Sequence, residues 1–142
     1  MQRSSTEKIV LDAWAMLALI FGEEPAASVV KAVFQQHGVS RRHVYMSWIN
    51  LGELSYILAR KKGLEIADDV LKDINLLPIT LNEPKKADIL DAALIKARHR
   101  VSYADAFAIS LANRLNGTLY TGDPGIVSLQ NVVKLKRLSR KS

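Results

Sequence analysis

Short apolar runs alternate with longer segments of helical periodicity along this chain, and glycines mark many of the joints. Ile9-Val-Leu11 reads as a buried strand ending on Asp12. Ala13 to Phe21 follows as an apolar helix that needs cover on most sides, stopped by Gly22. Glu23-Glu-Pro25 opens a second helix with acids in its first turn and proline near its start. Its apolar positions Ala27, Val30, Ala32, Val33 and Phe34 run on to Gly38. Arg41-Arg-His43 is a basic loop, and Val44-Tyr-Met46 a second strand. Ser47 caps a helix to about Lys62, with Leu51, Leu54 and Leu58 on its main apolar face and Gly63 as its stop. Leu64 to about Asn75 is a further helix, with Ile66, Ala67, Val70, Leu71 and Ile74 inward and Asp68, Asp69, Lys72 and Asp73 outward. Leu76-Leu-Pro-Ile79 reads as a strand that Pro78 assigns to an edge. Asn82 caps a helix from Glu83 to Arg100, where Asp88 and Asp91 share a solvated face with Lys85 and Lys86. Asn131-Val-Val133 is the last strand, and the basic tail from Lys134 is expected to fray. This strand–helix succession predicts an α/β chain with a parallel sheet covered on both faces.

One stretch departs from that regular pattern. From Ser102 the chain reads as a capped helix, a stop at Gly117, and a strand Thr118-Leu-Tyr-Thr121 that runs into a turn at Gly122-Asp123-Pro124. Asp105 shares a helix face with Ala108, Ile109 and Ala112, so a carboxylate sits on an apolar, small-residue stripe. It could complete a capping box with Ser102, and Asp123 could be an ordinary turn aspartate. Two further acids stand in similar settings. Asp12 ends the first strand, and Glu53 is flanked by Ile49 and Ile57, with Arg60 its one basic neighbour on that side.

The chain has 142 residues, which fits a single domain spanning 1–142 with a sizeable core. The longest apolar run is too short for a membrane span, and the polar N-terminus carries no signal-peptide pattern, so the expected location is the cytoplasm, away from membranes. The absence of cysteine excludes disulfides, thiol chemistry and Cys-ligated zinc, and the three histidines are scattered, as surface residues would be. A formal net charge of +6 suits a polyanionic partner, with nucleic acid the first candidate.

In a doubly wound sheet the strand ends converge on one edge, which would bring Asp12, Glu53, Asp105 and Asp123 into one pocket. Two carboxylates about 4 Å apart repel by ~1 kcal/mol in water and ~4 kcal/mol at an effective dielectric near 20. Four together call for protons or cations. A hard divalent ion with oxygen ligands answers that need, and Mg²⁺ or Mn²⁺ suits a site of few carboxylates and retained waters. On a basic chain such an ion would grip a phosphodiester and activate water. A phosphatase of the acidic-pocket type would place a second aspartate two residues after the first, where this chain has Trp14. A non-catalytic RNA-binding protein is the remaining alternative.

The segments Ile9-Val-Leu-Asp12-Ala, Asn50-Leu-Gly-Glu53, Ser102-Tyr-Ala-Asp105-Ala-Phe-Ala and Thr121-Gly-Asp123-Pro resemble, in order and spacing, the four acidic motifs of the PIN domain. The chain is most similar to the VapC toxins of prokaryotic toxin–antitoxin pairs. The resemblance implies a three-layer α/β/α fold around a mostly parallel sheet of four to five strands. It also implies an Mg²⁺- or Mn²⁺-dependent endoribonuclease, homodimers, and an antitoxin whose C-terminal peptide fills the active-site groove. By position, Asp12, Glu53, Asp105 and Asp123 would be the metal-binding and catalytic set, with Asn50, Ser102 and Thr121 as supporting polar residues. Two positions depart from the family pattern: Trp14, usually a small or hydroxyl residue, and Gly125, often acidic.

Overall fold

A computed structural model describes residues 7–40 and 43–141. In chain order the elements are β1 (Lys8–Leu11), α1 (Ala13–Ile20), α2 (Ala26–Ser40), β2 (His43–Ser47), α3 (Trp48–Lys62) and α4 (Leu64–Ile74). They continue with β3 (Thr80–Asn82), α5 (Lys86–Arg98), α6 (Tyr103–Leu115), β4 (Thr118–Thr121), α7 (Pro124–Val127) and β5 (Leu135–Arg137). The five strands form one sheet in the order β3-β2-β1-β4-β5, and every adjacent pair is parallel.

The sheet is central because its inner strands are apolar on both faces. Ile9 and Leu11 of β1 point into one layer with Val44, Met46 and the buried residues of α1 to α4. Val10 points the opposite way, into a second layer with Leu119, Phe107, Ile109, Leu111 and Ile126. Alternation along a strand produces this split, and helices on both sides complete an α/β/α sandwich. No helix among the described residues is long and apolar enough to cross a membrane.

Several expected boundaries move. The edge strand is Thr80–Asn82, not Leu76–Ile79, because Leu76 and Leu77 finish the turn after α4 through bonds to Asp73 and Ile74 carbonyls. Asn82 therefore lies in β3, and α5 begins at Lys86, where the Lys85 amide donates to Asp88 Oδ2 at 2.8 Å. Ile66 is exposed rather than inward. Asn131-Val-Val133 forms turns, and the last strand is β5, inside the segment expected to fray. That segment is held by β4, by a backbone bridge between Arg140 and Pro25, and by an ion pair of Arg140 with Glu23 at 2.9 Å. The predicted loop residues Arg41 and Arg42 lie outside the described residues.

Asp88 and Asp91 also differ from the solvated face expected of them. Asp88 pairs with Arg114 at 3.2 Å, and Asp91 accepts a bond from the buried Ser110 hydroxyl at 2.5 Å. Both therefore fasten α5 to α6. Asp68, Asp69 and Asp73 are exposed, as the pattern indicated.

The joint between α6 and β4 divides two tasks between neighbours. Asn116, not Gly117, takes the left-handed conformation that ends the helix (φ 52°). Gly117 instead passes so close to β1 that a Cβ there would lie 2.8 Å from the Lys8 carbonyl oxygen. That contact is with backbone and cannot give way cheaply. Gly117→Ala is expected to lose roughly 1–3 kcal/mol of stability, the usual range for forced overpacking. Urea unfolding of the variant beside the parent chain measures it.

Candidate active site

The chain leaves β1 toward β2 on one side and returns to β4 on the other. The carboxyl ends of β1 and β4 are therefore the point where strand order reverses, which is where open α/β sheets form a crevice. Asp12 follows β1 and Asp123 follows β4. Each is also the N-cap of the next helix. Asp12 Oδ1 accepts from the Ala15 amide at 2.8 Å, and Asp123 Oδ2 accepts from the Ile126 amide at 3.2 Å. Strand end and helix start thus fix the same side chain twice over.

Thr121 links the two. Its hydroxyl donates to Asp12 Oδ2 and accepts from the Asp123 amide, the latter at 3.0 Å. Both Thr121 and Asp12 are buried, at 0% and 1% exposure. The other two acids arrive on helices. Ser102 caps α6 by accepting from the Asp105 amide at 3.1 Å, which places Asp105 in the first turn. Glu53 lies one turn beyond Asn50 on α3. Asn50 is fully buried and ties that helix to α6 through a 3.0 Å bond from Nδ2 to the Ala104 carbonyl. Its Oδ1 has no hydrogen-bond donor among the described residues.

The crevice is about 290 Å³ and is lined by Glu53, Asp105, Asp123 and Ser102 against an apolar wall of Ala13, Trp14, Leu17 and Ile57. The structure thus brings three of the four acids to one open surface. Asp12 stands behind them, joined through Thr121 rather than lining the crevice. Arg60, the one basic neighbour expected for Glu53, lies over the Tyr56 ring at 5.1 Å.

Charge crowding follows from this geometry. Burial pushes the Asp12 carboxyl up to about 7, against the Thr121 and Ala15 hydrogen bonds, with repulsion from Asp105 and Asp123 adding to the rise. Burial and then the Asp123 charge push Asp105 up to about 7 as well, with Glu53 contributing and Ser102 opposing. Glu53 is raised by burial and by Asp123, with Asn50 opposing. Among the described residues no three acidic or histidine side chains are already converged into a metal cage.

The PIN domain family model matches residues 9–131, from β1 to the turn before β5, including all four acids. This chain belongs to the PIN domain family. Solved structures agree in fold. VapBC2 from Rickettsia felis, bound to a promoter DNA fragment, superposes with a TM-score of 0.68 at 16% identity over 93% of this chain and 99% of that one. VapC20 of Mycobacterium tuberculosis, a Sarcin-Ricin loop cleaving toxin, gives 0.69 at 17% identity over 85% and 94%. VapBC-1 from nontypeable Haemophilus influenzae gives 0.67 at 16% identity over 92% and 97%. Comparison with curated protein sequences returns no match.

In the sequence, Trp14 stands where an acidic-pocket phosphatase would carry a second aspartate and departs from the family pattern, with no structural role apparent. In this PIN domain it forms a wall of the crevice and lies against Gly122, where a Cβ would come within 2.3 Å of its ring. The pairing of a large aromatic with a glycine beside the last acid was the available signal. Gly122-Asp123-Pro124 by itself reads as turn chemistry.

The raised carboxyls give a pH signature. Asp12 and Asp105 bind protons more tightly in the fold, at about 7, than at their ordinary value of 3.8. The native state therefore holds extra protons between about pH 4 and 7, and their contribution to stability is full at the acid end and lost as pH rises through 7. In chelator, Asp105→Asn is expected to melt about 3 °C or more above the parent at pH 8, ~1 kcal/mol for a chain of this size, and level with it at pH 4. Calorimetric scans at the two pH values check this.

Proposed function

We propose that this PIN domain is a divalent-metal-dependent endoribonuclease, the toxin of a toxin–antitoxin pair. The observation that carries the reading is the crowding of Glu53, Asp105 and Asp123 in one crevice with Asp12 behind them, two of the four with carboxyls raised to about 7. Groups that crowded gain from a cation as much as from protons. The donors are all oxygens, and the buried Asn50 Oδ1 has no partner among the described residues, which fits a hard ion that keeps part of its water shell. Glu53, Asp105 and Asp123 would hold Mg²⁺ or Mn²⁺, with Asp12 as the acid behind them. The bound ion would supply activation of water and charge neutralisation at the scissile phosphate.

The chain's own residues do the positioning. Thr121 fixes the orientation of Asp12 and ties it to the Asp123 backbone. Ser102 holds the start of α6 and with it Asp105. Asn50 locks α3 to α6, which sets the separation of Glu53 from Asp105. Ala13, Leu17, Ile57 and Trp14 exclude water from one side of the crevice. RNA as substrate is supported by the net charge of +6 and by the reported activity of the Mycobacterium tuberculosis fold relative. An antitoxin partner is supported by the VapBC complexes among the fold relatives, and a homodimer by exposed apolar residues such as Leu90 and Leu94 on α5. Action in the cytoplasm, where RNA is met, completes the reading.

Cleavage of a labelled single-stranded or structured RNA should require Mg²⁺ or Mn²⁺, stop in chelator, and fall by about 10³-fold or more in Asp105→Asn, as expected for loss of a group that organises a metal site. Addition of millimolar Mn²⁺ should raise the melting temperature of the parent and not of the variant. Undiminished cleavage by Asp105→Asn, or in chelator, refutes the assignment.

A further inference from the structure

We propose that a second groove beyond Trp14 is a phosphate-binding subsite for the RNA strand, with Arg137 as its charged contact. This rests on the nuclease reading and extends it to the path of the substrate. The groove is also about 290 Å³, and its lining includes Trp14, Gly122, Arg137, Ser139 and Arg140. Trp14 lines both the acidic crevice and this groove, so the indole is the partition between them. One side is lined by Glu53, Asp105 and Asp123, and the other by Arg137 and Arg140.

The two are tied by the sheet. Arg137 pairs in register with Thr121, and the Leu138 amide donates to the Thr121 carbonyl at 2.8 Å. Neighbouring strands lie about 4.8 Å apart, so the backbone of Arg137 is one strand spacing from the residue that joins Asp12 to Asp123. The partition is fixed in place. Gly122 backs the indole, and the Arg140 guanidinium lies 5.1 Å from the indole ring centroid. Arg140 is itself committed to Glu23 at 2.9 Å, and the Ala26 amide donates to the Ser139 carbonyl at 3.0 Å. Arg137 is different. It is exposed and has no ion-pair partner among the described residues. A free guanidinium beside an acidic catalytic crevice suits a polyanion whose neighbouring phosphate lies outside the metal's reach.

Lys136 supplies the control, because it carries the same charge on the same strand, is exposed, and does not line the groove. A fluorescein-labelled, mixed-sequence 12-nucleotide single-stranded RNA is titrated in chelator, by anisotropy, over a series of KCl concentrations. Arg137→Ala should weaken binding about tenfold and lower the salt slope by ~0.7, one phosphate contact on a single strand. Lys136→Ala should shift affinity less than twofold. In Mg²⁺ or Mn²⁺, Arg137→Ala should raise KM with kcat unchanged. Equal shifts in the two variants, or none in either, overturn the subsite while the nuclease reading stands. Selective weakening by Arg137→Ala together with full cleavage by Asp105→Asn supports the subsite and refutes the acid-site assignment. Tighter binding of poly-glutamate than of RNA to the parent, lost in Arg137→Ala, overturns the RNA assignment in favour of an acidic peptide.

Discussion

Repulsion between like charges at one point of a parallel sheet is the constraint that this fold accommodates. Asp12 and Thr121 are 109 residues apart in sequence and share a hydrogen bond because β1 and β4 pair side by side. The pairing is secured by apolar side chains on both faces, with Ile9 and Leu11 on one and Val10 and Leu119 on the other. The two layers of core supply the stability that the acidic crevice takes away. Such an arrangement accepts a less stable site for the sake of its chemistry.

The same residue type serves opposite ends elsewhere in the molecule. Asp88 and Asp91 are also partly withdrawn from water, yet each meets a partner, Arg114 or Ser110, and the pair joins two helices. Asp105 and Glu53 face other carboxylates instead. What separates a structural acid from a candidate functional one here is the chemistry across the gap.

That distinction explains what could be read from residues alone. The strands Ile9–Leu11 and Thr118–Thr121, the caps at Ser47 and Ser102, and the candidate acids were legible because each carries a local signal: an apolar run, a hydroxyl before a helix, a carboxylate on an apolar stripe. The placing of Glu53, Asp105 and Asp123 around one crevice followed from the rule for strand ends in α/β sheets. The edge strand was misplaced because Leu76 and Leu77 look like a strand, but their amides are taken by the turn after α4. The C-terminal segment looked like a solvated tail because Lys and Arg dominate it. Its order comes from backbone pairing to β4 and from Arg140 reaching back 117 residues to Glu23.

The contact of Trp14 with Gly122 has a consequence for how such a chain can diverge. A side chain at 122 would overlap the indole of Trp14, so the two positions constrain each other in size. Growth at 122 in this chain therefore requires the indole to shift or to be replaced by something smaller. The bulk of residue 14 thus sets which side chains can stand beside the last acid of the crevice.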